Sequence, residues 1–267
     1  MTNREEFVKL LKNEHFNNIE LNGDAFYFLY KDKNLKSRKL KLQGLTKALK
    51  ETFYPMYDWK EVYELNKKNW KKESYAKKKV IKKRKIEKKY NVAMDHGPLT
   101  RGRIVHDQIR FLIQYGKDEY SKKYANFDPF TSSAIGWLFK TKLVPLIPEL
   151  PICDPEIRIG TAVDLICTNE KNEISIIEWK TGNYKYFNAS NGYCSNLGIQ
   201  LSNSPYNQAR LQTLFTYHIL KYKYGIDVKK CYIVHISEEE TNEFILDEKF
   251  LSASPYFYGD FSYCKKK

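Results

Sequence analysis

The chain has 267 residues, with 46 Lys and Arg against 32 Asp and Glu, so its formal net charge is +14. This length is enough to bury a full core, and the positive charge favours a polyanionic partner such as nucleic acid. The five cysteines form no Cys-x-x-Cys pair, which argues against a structural zinc site. The sequence has no signal peptide and no apolar run of transmembrane length. We therefore expect an intracellular protein that is neither secreted nor membrane-bound.

Residues 1–94 are predicted to form a mainly helical, basic region, because Phe, Leu and Tyr recur there at helical spacings. Residues 67–89 hold thirteen basic side chains against two acidic ones, with Trp70 and Tyr75 interleaved. Such a run is typical of a nucleic-acid-binding helix, a solvated helix face or a localisation signal. The side chains expected to contact nucleic acid here are Lys77, Lys78, Lys79, Lys82, Lys83, Arg84 and Lys85. A break at residues 95–98 then begins a second predicted domain, residues 95–267.

Two polar residues early in the second domain each allow more than one interpretation. His106 lies among Val105, Ile109 and other apolar residues that predict a helix, so it is a core histidine, a surface histidine or a ligand. Glu149 lies between Pro148 and Pro151 and is either a ligand or a solvated loop residue.

The next stretch predicts a β-hairpin that carries acidic groups. Strands are expected over residues 157–168 and 173–180, with a polar turn at 169–172. Side chains alternate along a strand, so Glu178 and Lys180 share one face while Trp179 points to the other. Asp164 reaches Glu178 across the hairpin. The strand of Glu178 is apolar on both faces and so is expected to be covered. Two carboxylates that meet across neighbouring strands in such a place are best explained by a hard divalent cation such as Mg²⁺ or Mn²⁺.

A further helix is predicted over residues 206–220, followed by strands over 230–237 and 243–246. Gln208, Gln212 and Thr216 recur every four residues on this helix and form one polar stripe. A stripe of this kind is suited to lining a substrate groove.

Asp164, Glu178 and Lys180, with this order and spacing, resemble the motif of the PD-(D/E)xK nuclease superfamily. The similarity is to the branch that contains the RecB nuclease domain and the lambda-type exonucleases. Val163 stands where the motif has its proline. The fold that the resemblance implies is a restriction-endonuclease-like α/β core, in which helices flank a mixed central sheet.

Three further stretches extend the resemblance in the order of the family. Gly102 and His106 match a Gly-x-x-x-His helix, and Glu149 matches an acidic residue on the strand before the Asp strand. Gln212 matches the glutamine of a Gln-x-x-x-Tyr helix, although Thr216 stands at the tyrosine position.

The resemblance implies a divalent-metal-dependent nuclease with one or two Mg²⁺ or Mn²⁺ ions. In this reading Lys180 orients the attacking water, and Gln212 faces the phosphate as a further catalytic residue. The implied ligands are His106, Glu149, Asp164, Glu178 and the backbone carbonyl of Trp179. Further expected contacts to nucleic acid are Arg101, Arg103, Thr181, Gln208 and Tyr217.

The function that the resemblance favours is a DNA exonuclease of replication, recombination or repair, similar to proteins of phages and large DNA viruses. Two alternatives stay open: an RNA-cleaving endonuclease, and a non-catalytic nucleic-acid-binding accessory protein with the same fold. No residue pattern separates DNA from RNA as the substrate, or cleavage at an end from cleavage within a strand.

Overall fold

A computed structural model describes residues 18–22, 25–53, 98–124, 127–182, 184–188, 201–237 and 240–252. Within these ranges the chain forms an α/β fold, in which helices flank a mixed eight-stranded sheet. The strands are β1 Ile19–Asn22, β2 Ala25–Lys31, β3 Ser37–Gly44, β4 Val144–Asp154, β5 Ile159–Thr168, β6 Ile174–Thr181, β7 Val228–Ile236 and β8 Thr241–Ile245. The helices are α1 Leu45–Phe53, α2 Pro98–Lys123, α3 Pro129–Thr141, α4 Tyr184–Phe187, α5 Pro205–His218 and α6 Glu248–Ser252, and a π-helical turn, Ile219–Lys223, follows α5. The predicted α/β class with a mixed, helix-flanked sheet is confirmed.

The sheet forks at β5. One edge of β5 pairs with β4 in antiparallel fashion along its whole length, from Ile159 to Thr168. The other edge pairs with β3, in parallel, only at Ile159 and Gly160, and with β6, antiparallel, only from Leu165 onwards. The stretch of β5 between these two pairings ends at Asp164. The fork therefore opens beside a predicted site residue.

The N-terminal strands contradict the prediction of a mainly helical region over residues 1–94. Residues 19–44 form a three-stranded antiparallel meander, β1–β2–β3, and only α1 is helical among the described residues before 54. Leu40 and Leu42 alternate with Lys39 and Lys41, which is the period of a strand rather than of a helix. The helical prediction is therefore wrong over residues 19–44.

The meander belongs to the same sheet as the rest of the chain, because β3 pairs with β5. Gly160 is the point of closest packing, since a Cβ atom there would lie 2.8 Å from Cβ of Phe26. The predicted domain boundary near residue 95 and the basic run at 67–89 lie outside the described residues.

Two apolar clusters hold the helices against the sheet. The first joins α1 and α5 to the strands, and Phe53, Phe215 and Ile176 are among its buried members. The second lies beneath α2 and α3 and includes Val105, Trp137 and Trp179. Burial of apolar area of this kind is the main favourable contribution to folding.

The predicted elements after residue 100 agree with the structure, whose described residues also form three helices that were not predicted, α3, α4 and α6. The turn at 169–172, the helix near 206–220 and both later strands are found within two residues of the predicted bounds. Helix α3 was not predicted, although Asp128 caps it by accepting a hydrogen bond from the N–H of Phe130, and Pro129 occupies its first turn. Within the described part of the chain, no helix has both the length and the apolar character needed to cross a membrane.

Candidate metal centre

The β5–β6 hairpin brings Asp164 and Glu178 together. Leu165 pairs with Ile177, so Asp164 and Glu178 are the next residues in the same register. The backbone N–H of Trp179 donates a hydrogen bond of 2.8 Å to Oδ2 of Asp164, which fixes the carboxylate across the fork. Both carboxylates are buried: Asp164 is 8% exposed and Glu178 is 4% exposed.

Trp179 anchors the two charged residues that flank it. Its ring is buried in the second cluster and packs edge-on against Trp137, with ring centroids 5.6 Å apart. Because side chains alternate along β6, this anchoring turns Glu178 and Lys180 to the opposite face. The predicted alternation in this strand is confirmed.

Glu149 reaches the same place from β4 through an unusual backbone conformation. Pro148 pairs with Leu165 and Leu150 pairs with Val163, so Glu149 lies opposite Asp164. Its φ angle is 48°, in the left-handed region that residues with side chains rarely adopt. Such conformations persist where the surrounding structure enforces them, and they cluster at functional sites.

His106 completes the group from helix α2. Its Nδ1 atom lies 2.8 Å from Oε1 of Glu149 and 3.7 Å from Oδ1 of Asp164. One ligand atom from each of these three residues lies within 4.8 Å of the others. Gly102, one helical turn earlier, allows α2 to approach the end of β6, since a Cβ atom there would lie 3.3 Å from Oγ1 of Thr181.

Lys180 and Gln212 lie next to the carboxylates. The ammonium group of Lys180 forms an ion pair with Glu178 and donates a hydrogen bond of 3.4 Å to Oε1 of Gln212. Gln212 projects from α5, so this contact joins the helix to the acidic strands. The predicted polar stripe splits here, because Gln208 donates to Asn203 instead and Thr216 is buried.

Burial and mutual repulsion shape the electrostatics of the acids. Burial raises the pKa of Asp164, although the positive charge of His106 opposes this effect. Burial, together with the charge of Asp164, raises the pKa of Glu178 to about 7. These two carboxylates are therefore costly to keep ionised, and a nearby cation offsets that cost.

The two basic side chains respond in the opposite sense. Burial lowers the pKa of His106, but the charges of Asp164 and Glu149 outweigh it and raise the pKa to about 9. Burial likewise opposes the charge of Lys180, and the carboxylates of Glu178 and Asp164 leave its pKa raised. Without a bound cation, protonated His106 and Lys180 thus balance part of the acidic charge; His106 has to lose its proton to act as a ligand.

The remaining predicted contacts to nucleic acid are dispersed. Thr181 is half-buried at the end of β6, and Arg103 is exposed on α2. The guanidinium group of Arg101 lies over the ring of Phe130, 4.4 Å from its centroid. The ring of Tyr217 is buried in the first cluster, and its hydroxyl accepts a hydrogen bond from Lys221, so Tyr217 is not brought to the metal centre. The lysines and the arginine of residues 77–85 lie outside the described residues.

His235 is a neighbour of the centre that sequence reasoning missed. It pairs with Lys180 in the parallel β6–β7 register, is almost fully buried, and stacks on Phe187 at 4.3 Å between ring centroids. The strand that carries it was predicted. The pairing of that strand with β6 was not, because parallel pairing across a long connection leaves no local pattern.

Comparison with known proteins gives little further information. No protein-family model and no curated protein matches the chain. Among solved structures, the chain is similar to one described as "Crystal structure of SSO0001", with 16% sequence identity, a TM-score of 0.21, and coverage of 57% of this chain and 70% of that one. A structural similarity this weak supports no conclusion about function. The function is therefore inferred from the residues of the site.

Proposed function

We propose that the protein is a divalent-metal-dependent nuclease that hydrolyses phosphodiester bonds, with a restriction-endonuclease-like core. The observation that carries the proposal is the convergence of His106, Glu149 and Asp164 on one point, beside the ion pair of Glu178 and Lys180. These residues come from one helix and three strands, and they coincide with the residues through which the sequence resembles the PD-(D/E)xK nucleases.

The donor set suits a hard divalent cation. Carboxylate oxygens and one imidazole nitrogen are ligands that Mg²⁺ and Mn²⁺ accept, and His106, Glu149 and Asp164 lie close enough together to share an ion. Glu178 and the carbonyl of Trp179 would complete the ligands. A bound ion would supply Lewis-acid polarisation of the phosphate and a bound water of lowered pKa.

Lys180 and Gln212 supply the other half of the chemistry. The ammonium group of Lys180 is held between Glu178 and Gln212, so it has a fixed position and keeps its charge. A fixed positive charge at this point stabilises the negative charge that develops on a phosphate during hydrolysis. The amide group of Gln212 orients the lysine and is placed to face the same phosphate.

We propose DNA as the substrate, attacked from an end, as the resemblance to the exonuclease branch implies. The net charge of +14 favours a polyanion in general, and it serves DNA and RNA alike. The end of the strand that is attacked, and whether the substrate is DNA or RNA, are therefore determined from the cleavage products in the experiment below.

The deciding experiment compares cleavage of end-labelled single-stranded DNA, duplex DNA and RNA in Mg²⁺, Mn²⁺ or EDTA. Loss of the Lys180 charge, as in Lys180→Ala, is expected to lower the rate at least about 100-fold with little effect on the fold. Lys171→Ala is the matched control, because Lys171 is exposed at the turn of the same hairpin. This variant should cleave at the rate of the unmodified protein.

The outcomes separate the candidate functions. Metal-dependent cleavage that Lys180→Ala loses and Lys171→Ala keeps supports the nuclease, and cleavage confined to RNA would move the substrate to RNA. An active Lys180→Ala protein would overturn the assignment of Lys180. Binding without cleavage in every metal would favour the non-catalytic accessory protein.

A further inference from the structure

The meander β1–β2–β3 has two chemically different faces. On the inner face, Phe26 pairs with Leu42 and packs at Gly160 of β5. On the other face, Tyr27 pairs with Lys41 and Leu29 pairs with Lys39, and both lysines are exposed. The outer face therefore presents lysines beside a half-buried tyrosine and leucine.

The described residues of the meander carry a strong excess of positive charge. Its described residues include six basic side chains and two acidic ones, Glu20 and Asp32. Glu20 pairs with Lys39 at 2.6 Å, and Asp32 pairs with Arg38 at 2.9 Å. Both acidic side chains therefore form ion pairs with basic residues of the meander itself. The basic side chains that form no ion pair with any described residue are Lys31, Lys33, Lys36 and Lys41.

The position of these lysines does not fit a role in protecting the edge of the sheet. Charged side chains often stand on an edge strand to prevent pairing with another chain. Here the edge strand is β1, and it carries no basic residue over Ile19–Asn22. The lysines instead occupy β2, β3 and the turn between them, where they form one broad surface.

We propose that this outer face of the meander is a second nucleic-acid-binding surface, which holds the sugar-phosphate backbone of the substrate away from the metal centre. Lysines give charge complementarity to phosphates, and Tyr27 offers a flat ring for sugar or base contacts. The inference rests on the proposed function, because it assumes that the metal centre acts on nucleic acid.

The fold sets the distance between the two surfaces. Gly44 pairs with Gly160, which is four residues before Asp164 along β5, and Lys41 is three residues before Gly44 along β3. At about 3.3 Å per residue, these seven residues put Lys41 about 23 Å from Asp164, and Lys31, Lys33 and Lys36 lie farther along the meander. That span corresponds to roughly seven base pairs of duplex, at about 3.4 Å each. A substrate shorter than this, when it is bound at the metal centre, should not reach the meander.

The test measures binding of fluorescent duplexes of about 6 and about 30 base pairs in EDTA, over a range of salt concentrations. The variant Lys31→Glu with Lys41→Glu changes the outer face. Lys33→Glu with Lys36→Glu changes the exposed turn, where charge reversal leaves strand packing intact. Lys117→Glu with Lys140→Glu, on exposed positions of α2 and α3, is the control with the same change of net charge. Melting temperatures are recorded for all three proteins.

We expect both meander variants to bind the long duplex at least about tenfold more weakly than the control, with a salt slope reduced by about 2. Binding of the short duplex should be the same in the variants and the control. Equal binding of the long duplex by meander and control variants, with unchanged melting, would overturn the proposal. Cleavage is scored separately: a chain that cleaves but shows no meander effect fails only this inference, and a chain that shows the effect without cleaving fails only the proposed nuclease.

Discussion

At the scale of single residues, Asp164 carries two roles. One oxygen accepts the hydrogen bond from the N–H of Trp179, and the other faces His106 at 3.7 Å. The first contact is structural and the second belongs to the metal centre. The same side chain therefore links the geometry of the fork to the chemistry of the site.

Asp164→Asn should separate the two roles, because the amide oxygen still accepts the hydrogen bond while the charge is lost. Burial raises the pKa of Asp164, so removing the charge should leave the metal-free protein at least as stable as the unmodified one. Mn²⁺ affinity should fall at least about 100-fold. Urea unfolding in EDTA and calorimetric titration with Mn²⁺ measure the two effects. A metal-free variant that is strongly destabilised, or one that keeps its Mn²⁺ affinity, would contradict this account.

His218 predicts a pH dependence of stability away from the site. It donates a hydrogen bond of 3.0 Å to the backbone oxygen of Leu251, and burial lowers its pKa from 6.5 to about 4. Between pH 6.5 and 4 the unfolded chain binds a proton at His218 and the folded chain does not. The unfolding free energy therefore falls as the pH drops from 6.5 towards 4, and the contribution of His218 is fully present above pH 6.5.

His218→Gln keeps a hydrogen-bond donor but does not titrate. Between pH 7.5 and 4.5 the unmodified protein should lose about 2 to 3 kcal/mol more unfolding free energy than this variant. Urea unfolding at both pH values measures the difference. Equal losses in the two proteins would show that His218 is not protonated differently in the folded and unfolded chains.

The sequence predicts part of the site, residue by residue. Asp164, Glu178 and Lys180 are predictable because a short hairpin fixes which side chains meet. The contact between His106 and Glu149 spans 43 positions, and it depends on how α2 lies across the sheet and on the left-handed backbone of Glu149. Local patterns contain neither of these facts, so both residues were implied only through the family resemblance.

At the scale of elements, the docking of the meander depends on Gly160. A Cβ atom there would lie 2.8 Å from Cβ of Phe26, an atom fixed to the backbone that cannot rotate away. Gly160→Ala should therefore cost about 1 to 3 kcal/mol of unfolding free energy, as measured by urea unfolding.

Gly136→Ala on α3 is the control for Gly160→Ala, because nothing lies within 4 Å of the added atom. Alanine in a helix is favoured over glycine by up to about 1 kcal/mol, so this change should be neutral or stabilising. Equal effects of the two substitutions would mean that the close contact with Phe26 does not limit the packing of the meander.

The meander also shows where prediction of elements fails. Aromatic residues over 26–30 are consistent with either a helix or a strand when they are read in isolation. Phe26 packs at Gly160, more than a hundred positions later in the chain. The strands of the meander are adjacent in sequence, like those of the hairpin that ends in β6, so the error was to interpret their apolar spacing as helical. Their attachment to β5 depends on a distant contact that no local pattern shows.

At the scale of the whole molecule, residues 19–53 and the residues after 98 form one unit. Leu45, Leu49 and Phe53 of α1 are buried in the first cluster together with residues of α5 and β5. A chain shortened to residues 95–267, the second domain that the sequence suggested, should therefore lose cooperative unfolding. Thermal unfolding followed by near-ultraviolet circular dichroism measures this. A shortened chain that melts cooperatively at the same temperature as the full protein would support the prediction of two independent domains.

The pairing of Gly44 with Gly160 also sets an order of events during synthesis. The ribosome makes 116 further residues between these two partners, which takes roughly 6 to 23 s at about 5 to 20 residues per second. Throughout that interval the inner face of the meander, with Phe26 and Leu42, has no β5 to cover it. The nascent chain thus carries an uncovered apolar surface for about two fifths of its translation. Chaperones bind segments of this kind until the rest of the protein is made.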